Sequence, residues 1–345
     1  MRLTNVLRKI ALLGFIWAIA ALVLSTSALP QEKAQDPLPS WNGGPAKQAI
    51  LSFVQKVTEK SSPAYVPPEE RLATFDQDGT LWVEHPLYAQ AMFALDRIRA
   101  LAPQHPEWKT RQPFKAVLKN DRKAMAKFTE GDWAKILGAT HAGMTTEAFL
   151  KIVGDWLGQA KHPRFQRPYT ELVFQPMLEV MKYLRNNGFK TYIVTGGGQE
   201  FVRVYGERVY GVPPEQVVGT SLATKYEYHN GQPVLMRLPK IFFVDDQAGK
   251  AIGINLFIGK RPQAAFGNST GDRQMLEYTG AGDGARLMML VLHDDGKREY
   301  AYGPAQGLPV TKIGTFTQAL CDQAKKQGWV VISMKNDWNK IFAWE

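Results

Sequence analysis

The sequence predicts an α/β fold: a doubly wound, mostly parallel sheet with an α-helical cap inserted after its first strand. Three observations carry this expectation. Short apolar runs alternate with amphipathic helical stretches along most of the chain. Several of these runs stop abruptly in loops rich in Gly, Asp, Asn and Thr. Residues 85–171, in contrast, show helical periodicity and no strand pattern. Open α/β sheets place their chemistry at the carboxyl ends of strands, so the loops that end those runs are where function is sought.

Taken in order, the chain begins with Arg2, Arg8 and Lys9, then an almost unbroken apolar run at 10–24, then small residues at 25–28. That succession predicts a signal peptide, 1–28, cut after Ala28, and hence a periplasmic or secreted protein. The alternative is an anchor in the inner membrane formed by residues 10–24, a run near the lower limit for a span. With the signal cleaved, no stable membrane insertion is expected. Residues 29–45, rich in Pro, Gln and Gly, read as a linker. A helix follows with Ile50, Phe53, Val54 and Val57 on one face, and residues 71–75 are the first strand.

Residues 85–171 are too long for a simple crossover and are expected to form a cap. The core is then assembled from 46–84 and 172–345. Pro176 opens a helix that Gly188 closes, and residues 191–194 form a strand. A helix is expected at 200–210, and short strands and turns at 211–240 with His229-Asn230-Gly231 as a hairpin tip. Residues 250–258 suit a helix or a strand equally. Strands at 263–266, 287–292 and 330–334, with a helix near 315–327, complete the alternation.

Composition narrows the function classes. The formal charge of +10 favours anionic ligands, but the basic residues are dispersed, so no nucleic-acid partner is expected. Cys321 is the single cysteine, which excludes an intramolecular disulfide; its helical setting suits a buried apolar role.

Chemistry concentrates in three loops. In Asp76-Gln77-Asp78-Gly79-Thr80, two carboxylates stand two residues apart at a strand tip. Adjacent carboxylates repel, so a cation or shared proton is expected beside them, and hard oxygen ligands suit Mg²⁺. An ordinary Asp-rich turn would also explain these residues. A calcium loop would not: counted from Asp76, Gly79 is fourth where sixth is required, and Leu87 holds the twelfth position where an acid is required. In Thr195-Gly196-Gly197-Gly198, a hydroxyl and unencumbered backbone N–H groups between a strand and a helix form an anion cradle, or a flexible capped turn. In Gly267-Asn268-Ser269-Thr270-Gly271-Asp272, oxygen-bearing side chains four positions apart suit a cation, or again a turn. Lys250 could neutralise charge between an aspartate and a phosphate.

As an ordered set of acid pair, hydroxyl, lysine and acidic loop, these motifs resemble the haloacid dehalogenase-like hydrolase superfamily, and within it the phosphoserine-phosphatase type. The likeness covers about residues 71–280. It implies Mg²⁺ as cofactor and a small phosphorylated substrate. Asp76 would be the nucleophile forming an aspartyl-phosphate, Asp78 the general acid/base, and Thr195 with Gly196 the phosphoryl-binding group. Lys250, with Lys240 and Lys260 as rivals, would hold nucleophile and phosphate together. Mg²⁺ would be held by Asp76, the Asp78 carbonyl and either Asn268 or Asp272. Asn268 departs from the family, which carries an aspartate there. Glu84, just after the first motif, could bind a cationic leaving group or be a solvated hinge residue. Trp82 and Tyr88 could line a pocket or pack between core and cap, and His293 could rim the site or belong to a plain turn. The function expected is Mg²⁺-dependent phosphomonoester hydrolysis. The alternatives are a non-catalytic phosphate- or cation-binding protein on the same fold, or a phosphotransferase.

Overall fold

The first strand sits at the centre of the sheet because all four of its residues, Leu72–Phe75, are apolar or small enough to be buried on both faces. The computed structural model describes residues 35–345, so the expectations for 1–28 and for the start of the linker fall outside the described residues. The strands are β1 (Leu72–Phe75), β2 (Lys190–Gly198), β3 (Val217–His229), β4 (Gln232–Phe243), β5 (Ala264–Gly267), β6 (Leu287–Leu292) and β7 (Val330–Ser333). They form a seven-stranded sheet ordered β4-β3-β2-β1-β5-β6-β7. All neighbouring pairs are parallel except β3 and β4.

Alternation along each strand sends successive residues to opposite faces. Ile193, Phe266 and Met289 join one apolar cluster with the helices Pro45–Thr58 and Gln175–Asn186. Val194, Ala265 and Leu290 join another with Met275, Leu276, Leu320 and Ala324 from helices Arg273–Gly280 and Gln318–Lys326. Cys321 is buried in the second cluster.

Residues 85–171 contain helices and turns and no ladder strand, the longest helices being Ala89–Leu101, Glu130–His141 and Thr146–Leu157. This segment has an apolar cluster of its own around Leu95, Ile98, Trp108 and Ile136. Its two stems are zipped together, with Val83 N–H donating to Leu172 (3.1 Å) and Phe174 N–H to Leu81 (2.9 Å).

Three expectations are corrected. Residues 37–44 are not a free linker: Leu38 and Trp41 are buried, and the Trp41 indole donates to the Pro176 carbonyl at 3.0 Å. Residues 217–243 form one long hairpin instead of short strands, turning at Asn230 and Gly231 with positive φ (49° and 78°). Pro233 and Pro239 are tolerated because β4 lies at the sheet edge. The helix expected at 200–210 is two short ones, Gln199–Arg203 and Gly206–Tyr210. The ambiguous stretch at 250–258 is helical, Ala248–Gly253 running into a π-turn at Ile254–Ile258. Among the described residues no helix is long and apolar enough to cross a membrane. Residues 37–345 form one compact unit.

Candidate active site

β1 delivers Asp76 to the middle of the sheet's carboxyl edge, where the Asp76 N–H donates to the Phe266 carbonyl of β5 at 2.9 Å. Phe75 and Phe266 stack at 4.4 Å behind it, which fixes the two strand tips relative to each other. The turn that follows is bound to itself: the N–H groups of Thr80 and Leu81 donate to the Gln77 carbonyl (3.3 and 2.9 Å). Gly79 has φ 75°, and a Cβ there would overlap Asn268 and Glu84.

Lys250 is the lysine that the site uses. Its ammonium is 2 % exposed and donates to Asp76 Oδ1 at 2.5 Å and to Asp272 Oδ1 at 2.6 Å. Lys260 instead pairs with Glu70 at the exposed surface, and Lys240 is exposed. Asp272 spends its other oxygen on the N–H groups of Asn268 (2.9 Å) and Ser269 (3.0 Å), which shapes the loop after β5. Asn268 is committed too, its Oδ1 accepting from the Thr80 hydroxyl (3.2 Å), so both candidates for the third oxygen donor are already engaged.

Burial, then the neighbouring Asp272 carboxylate, pushes the Asp76 carboxyl well above the usual range, against the pull of Lys250. Asp78 is raised to about 6, chiefly by burial; the Trp82 indole, donating to Oδ1 at 2.6 Å, works the other way. Trp82 thus does more than pack: it orients the second aspartate.

The glycine cradle is narrower than its sequence suggests. Gly197 N–H donates to Thr195 Oγ1 (3.0 Å), and Gly198 N–H donates to Gln90 Oε1 (2.6 Å) from the helical insert. Thr195, with its hydroxyl oxygen already accepting, has a proton to donate to an anion, alongside Gly196 on the cavity wall.

Other partners come from segments that carried no motif. Glu84 is no solvated hinge residue: it is 2 % exposed, and its Oε1 accepts from Asn268 Nδ2 (2.7 Å) and the Tyr302 hydroxyl (2.8 Å). His293 is more than a turn residue, because it bridges the Gly79 carbonyl (2.7 Å) and Glu299 (3.0 Å) beneath the first motif. Asp245, just before the Lys250 helix, is fully buried with neither oxygen hydrogen-bonded, and burial raises it to about 7.

Asp76, Asp78, Glu84, Thr195, Gly196, Lys250 and Asp272 line one cavity of about 440 Å³. The opposite wall includes Tyr88, Gln90, Trp133 and Leu137 of the insert with Arg237 of the hairpin. Arg237 donates to the His141 carbonyl (2.7 Å), lies over the Phe149 ring (4.0 Å) and faces Glu200 (3.2 Å).

Five carboxylates (Asp76, Asp78, Glu84, Asp246, Asp272) therefore share this floor with one ammonium, Lys250. That imbalance fits a hard cation. Among the described residues no three His, Cys, Asp or Glu side chains form a metal cage. The oxygens at hand, carboxylates, backbone carbonyls and an amide, are all hard donors that suit a strongly hydrated ion.

A family model described as haloacid dehalogenase-like hydrolase matches residues 73–277. No curated protein matches. Among solved structures, the chain is similar to a conserved functionally unknown protein from Anaerococcus prevotii at 16% identity and TM-score 0.51, covering 72% of this chain and 86% of that one. It is also similar to a protein of unknown function from Bordetella pertussis at 19% identity and TM-score 0.46, covering 76% and 98%. A phosphoserine phosphohydrolase-like protein from Francisella tularensis matches at 15% identity and TM-score 0.35, covering 66% and 89%. With the acid pair, threonine and lysine gathered on one sheet edge inside the matched span, the chain belongs to the haloacid dehalogenase-like hydrolase family.

Proposed function

We propose that the protein is an exported, Mg²⁺-dependent phosphatase that hydrolyses a small phosphomonoester through an aspartyl-phosphate. The observation that carries the reading is the buried Lys250 ammonium bridging Asp76 and Asp272 beside Thr195, a cationic seat for a phosphoryl group at a carboxylate nucleophile. Export rests on the residue pattern at 1–28.

Lys250 holds Asp76 Oδ1, which leaves Oδ2 to attack phosphorus. The bond from phosphorus to the leaving oxygen breaks as Asp78 gives that oxygen its proton; an acid with a pKa near 6 is suited to this near neutral pH. Asp78 then takes a proton from a water, and the hydroxide displaces Asp76 to release phosphate. Thr195, Gly196 and Lys250 carry the charge of the equatorial oxygens during both displacements. Asp76, the Asp78 carbonyl and either Asn268 or Asp272 would hold Mg²⁺, which when bound supplies further charge neutralisation. The cavity wall formed by Tyr88, Trp133 and Leu137 suits an organic leaving group.

The test is p-nitrophenyl phosphate turnover with Mg²⁺ and with chelator. Wild type is expected to depend on the metal, and Asp76→Asn to fall to background. If wild type with Mg²⁺ is no faster than Asp76→Asn, the protein binds phosphate or cation without catalysis, the reading Asn268 favours. Phosphate moving to an added alcohol in preference to water would identify a phosphotransferase.

A further inference from the structure

Asn268 brings no charge of its own to the loop after β5, yet a buried carboxylate, Glu84, is hydrogen-bonded to its amide. We propose that Glu84 and Asn268 act together as one split acidic ligand of the cation site. The amide Oδ1 is the contacting atom, and the Glu84 carboxylate behind it supplies the charge. This rests on the metal-dependent reading above.

The geometry is specific. Asn268 Nδ2 donates to Glu84 Oε1 at 2.7 Å, and Asn268 Oδ1 accepts from the Thr80 hydroxyl at 3.2 Å. A carboxylate accepting from an amide N–H draws electron density toward the amide oxygen, so Oδ1 becomes a better donor to a cation, and its orientation is fixed. Glu84 is held for this purpose by the Tyr302 hydroxyl at 2.8 Å. The niche is cleared by glycines: a Cβ on Gly79 or on Gly314 would overlap the Glu84 carboxylate. Gly314 adopts φ 61°, so its backbone too is suited to glycine. Tyr302 and Gly314 lie beyond the matched span, which ends at 277. The niche is therefore built by segments this chain places under its family core. A buried carboxylate with only neutral donors is costly to keep, and a cation on the far side of the amide gives it an electrostatic partner.

Glu84 is a positioning residue, and the test separates that role from a structural one. Metal-free wild type, Glu84→Gln, Asn268→Asp and the double variant Glu84→Gln/Asn268→Asp are titrated with Mg²⁺ by calorimetry, with the melting temperature of each metal-free protein recorded. Glu84→Gln keeps shape and volume and is expected to weaken Mg²⁺ binding about tenfold or more. Asn268→Asp places two carboxylates against each other and is expected to melt earlier without metal. The double variant, which returns the acid to position 268, is expected to recover both affinity and melting temperature. Unchanged affinity in Glu84→Gln, or a folded double variant that binds no better than Glu84→Gln, overturns the proposal. If Glu84→Gln does not fold, the double variant decides alone: wild-type affinity supports the split ligand, and a loss of about tenfold overturns it. Wild type that binds no Mg²⁺ at all overturns the metal reading underneath, and Asp76→Asn on p-nitrophenyl phosphate tests that activity separately.

Discussion

The floor and the roof of the cavity are built differently. On the floor, each of the carboxylates of Asp76, Asp78, Glu84 and Asp272 accepts a short hydrogen bond from a fixed donor. The roof is more apolar, with Trp133 and Leu137 from the insert, and its polar groups include Gln90, His141 and the Arg237–Glu200 pair. His141 is held neutral, its pKa lowered to about 3 by burial and then by Arg237. A rigid charged floor is what phosphoryl transfer requires, while a less charged roof can be altered without touching the reacting atoms. Under the function proposed above, chemistry falls to one side and choice of leaving group to the other.

The strongest way to break this division is Lys250→Met. It leaves Asp76 and Asp272 buried without their shared cation, so a stability loss of about 3–5 kcal/mol is expected in metal-free denaturant unfolding, together with loss of turnover. A stable, active Lys250→Met would show that the floor is not held by charge pairing. Asp78→Asn is expected to slow kcat by about 10²–10⁴-fold with little change in fold, read by steady-state kinetics and circular dichroism.

On the roof, Gln90→Ala releases the Gly198 N–H and frees His141 from its 3.1 Å partner. The expected result is a KM about tenfold higher with kcat nearly unchanged. A kcat effect as large as that of Asp78→Asn would erase the boundary between roof and floor.

The smallest effect concerns Asp245. Its folded pKa, about 7 through burial, lies above the ordinary 3.8. The native state therefore binds the extra proton between those values, so stability is full below about 4 and is lost as pH rises through 7. Asp245→Asn cannot ionise and is expected to melt a few degrees above wild type at pH 8, with the gap closing towards pH 4. A gap that does not change with pH would show that Asp245 is not titrating.

Much of the floor was legible because its signals are local. Asp76, Asp78, Thr195 and the 267–272 loop each end a strand, and the strand-then-turn pattern can be read within about ten residues. Lys250 stood out only by its order among the motifs, since nothing nearby separates it from Lys240 or Lys260. The length of the hairpin is hidden in the sequence: Pro233 and Pro239 look like strand breakers and are admitted here by an edge position. Tyr302 and Gly314 could not have been found, nor could the contact of His293 with Gly79: their partners lie more than two hundred residues earlier, and no periodicity records a contact at that separation. Trp41 was lost in a Pro/Gly-rich stretch whose composition resembles a linker although its tryptophan seals the core.

The β3–β4 hairpin has a mechanical consequence. Its outer strand clasps the insert through Gly143 N–H to the Arg237 carbonyl and Arg237 N–H to the Met144 carbonyl, both 2.9 Å, far from the stems at 81–83 and 172–174. A flap fastened at its root and again at its tip behaves as a bridge, not as a door. The edge strand that closes the sheet thus also ties down the insert, through the residue whose side chain lines the cavity.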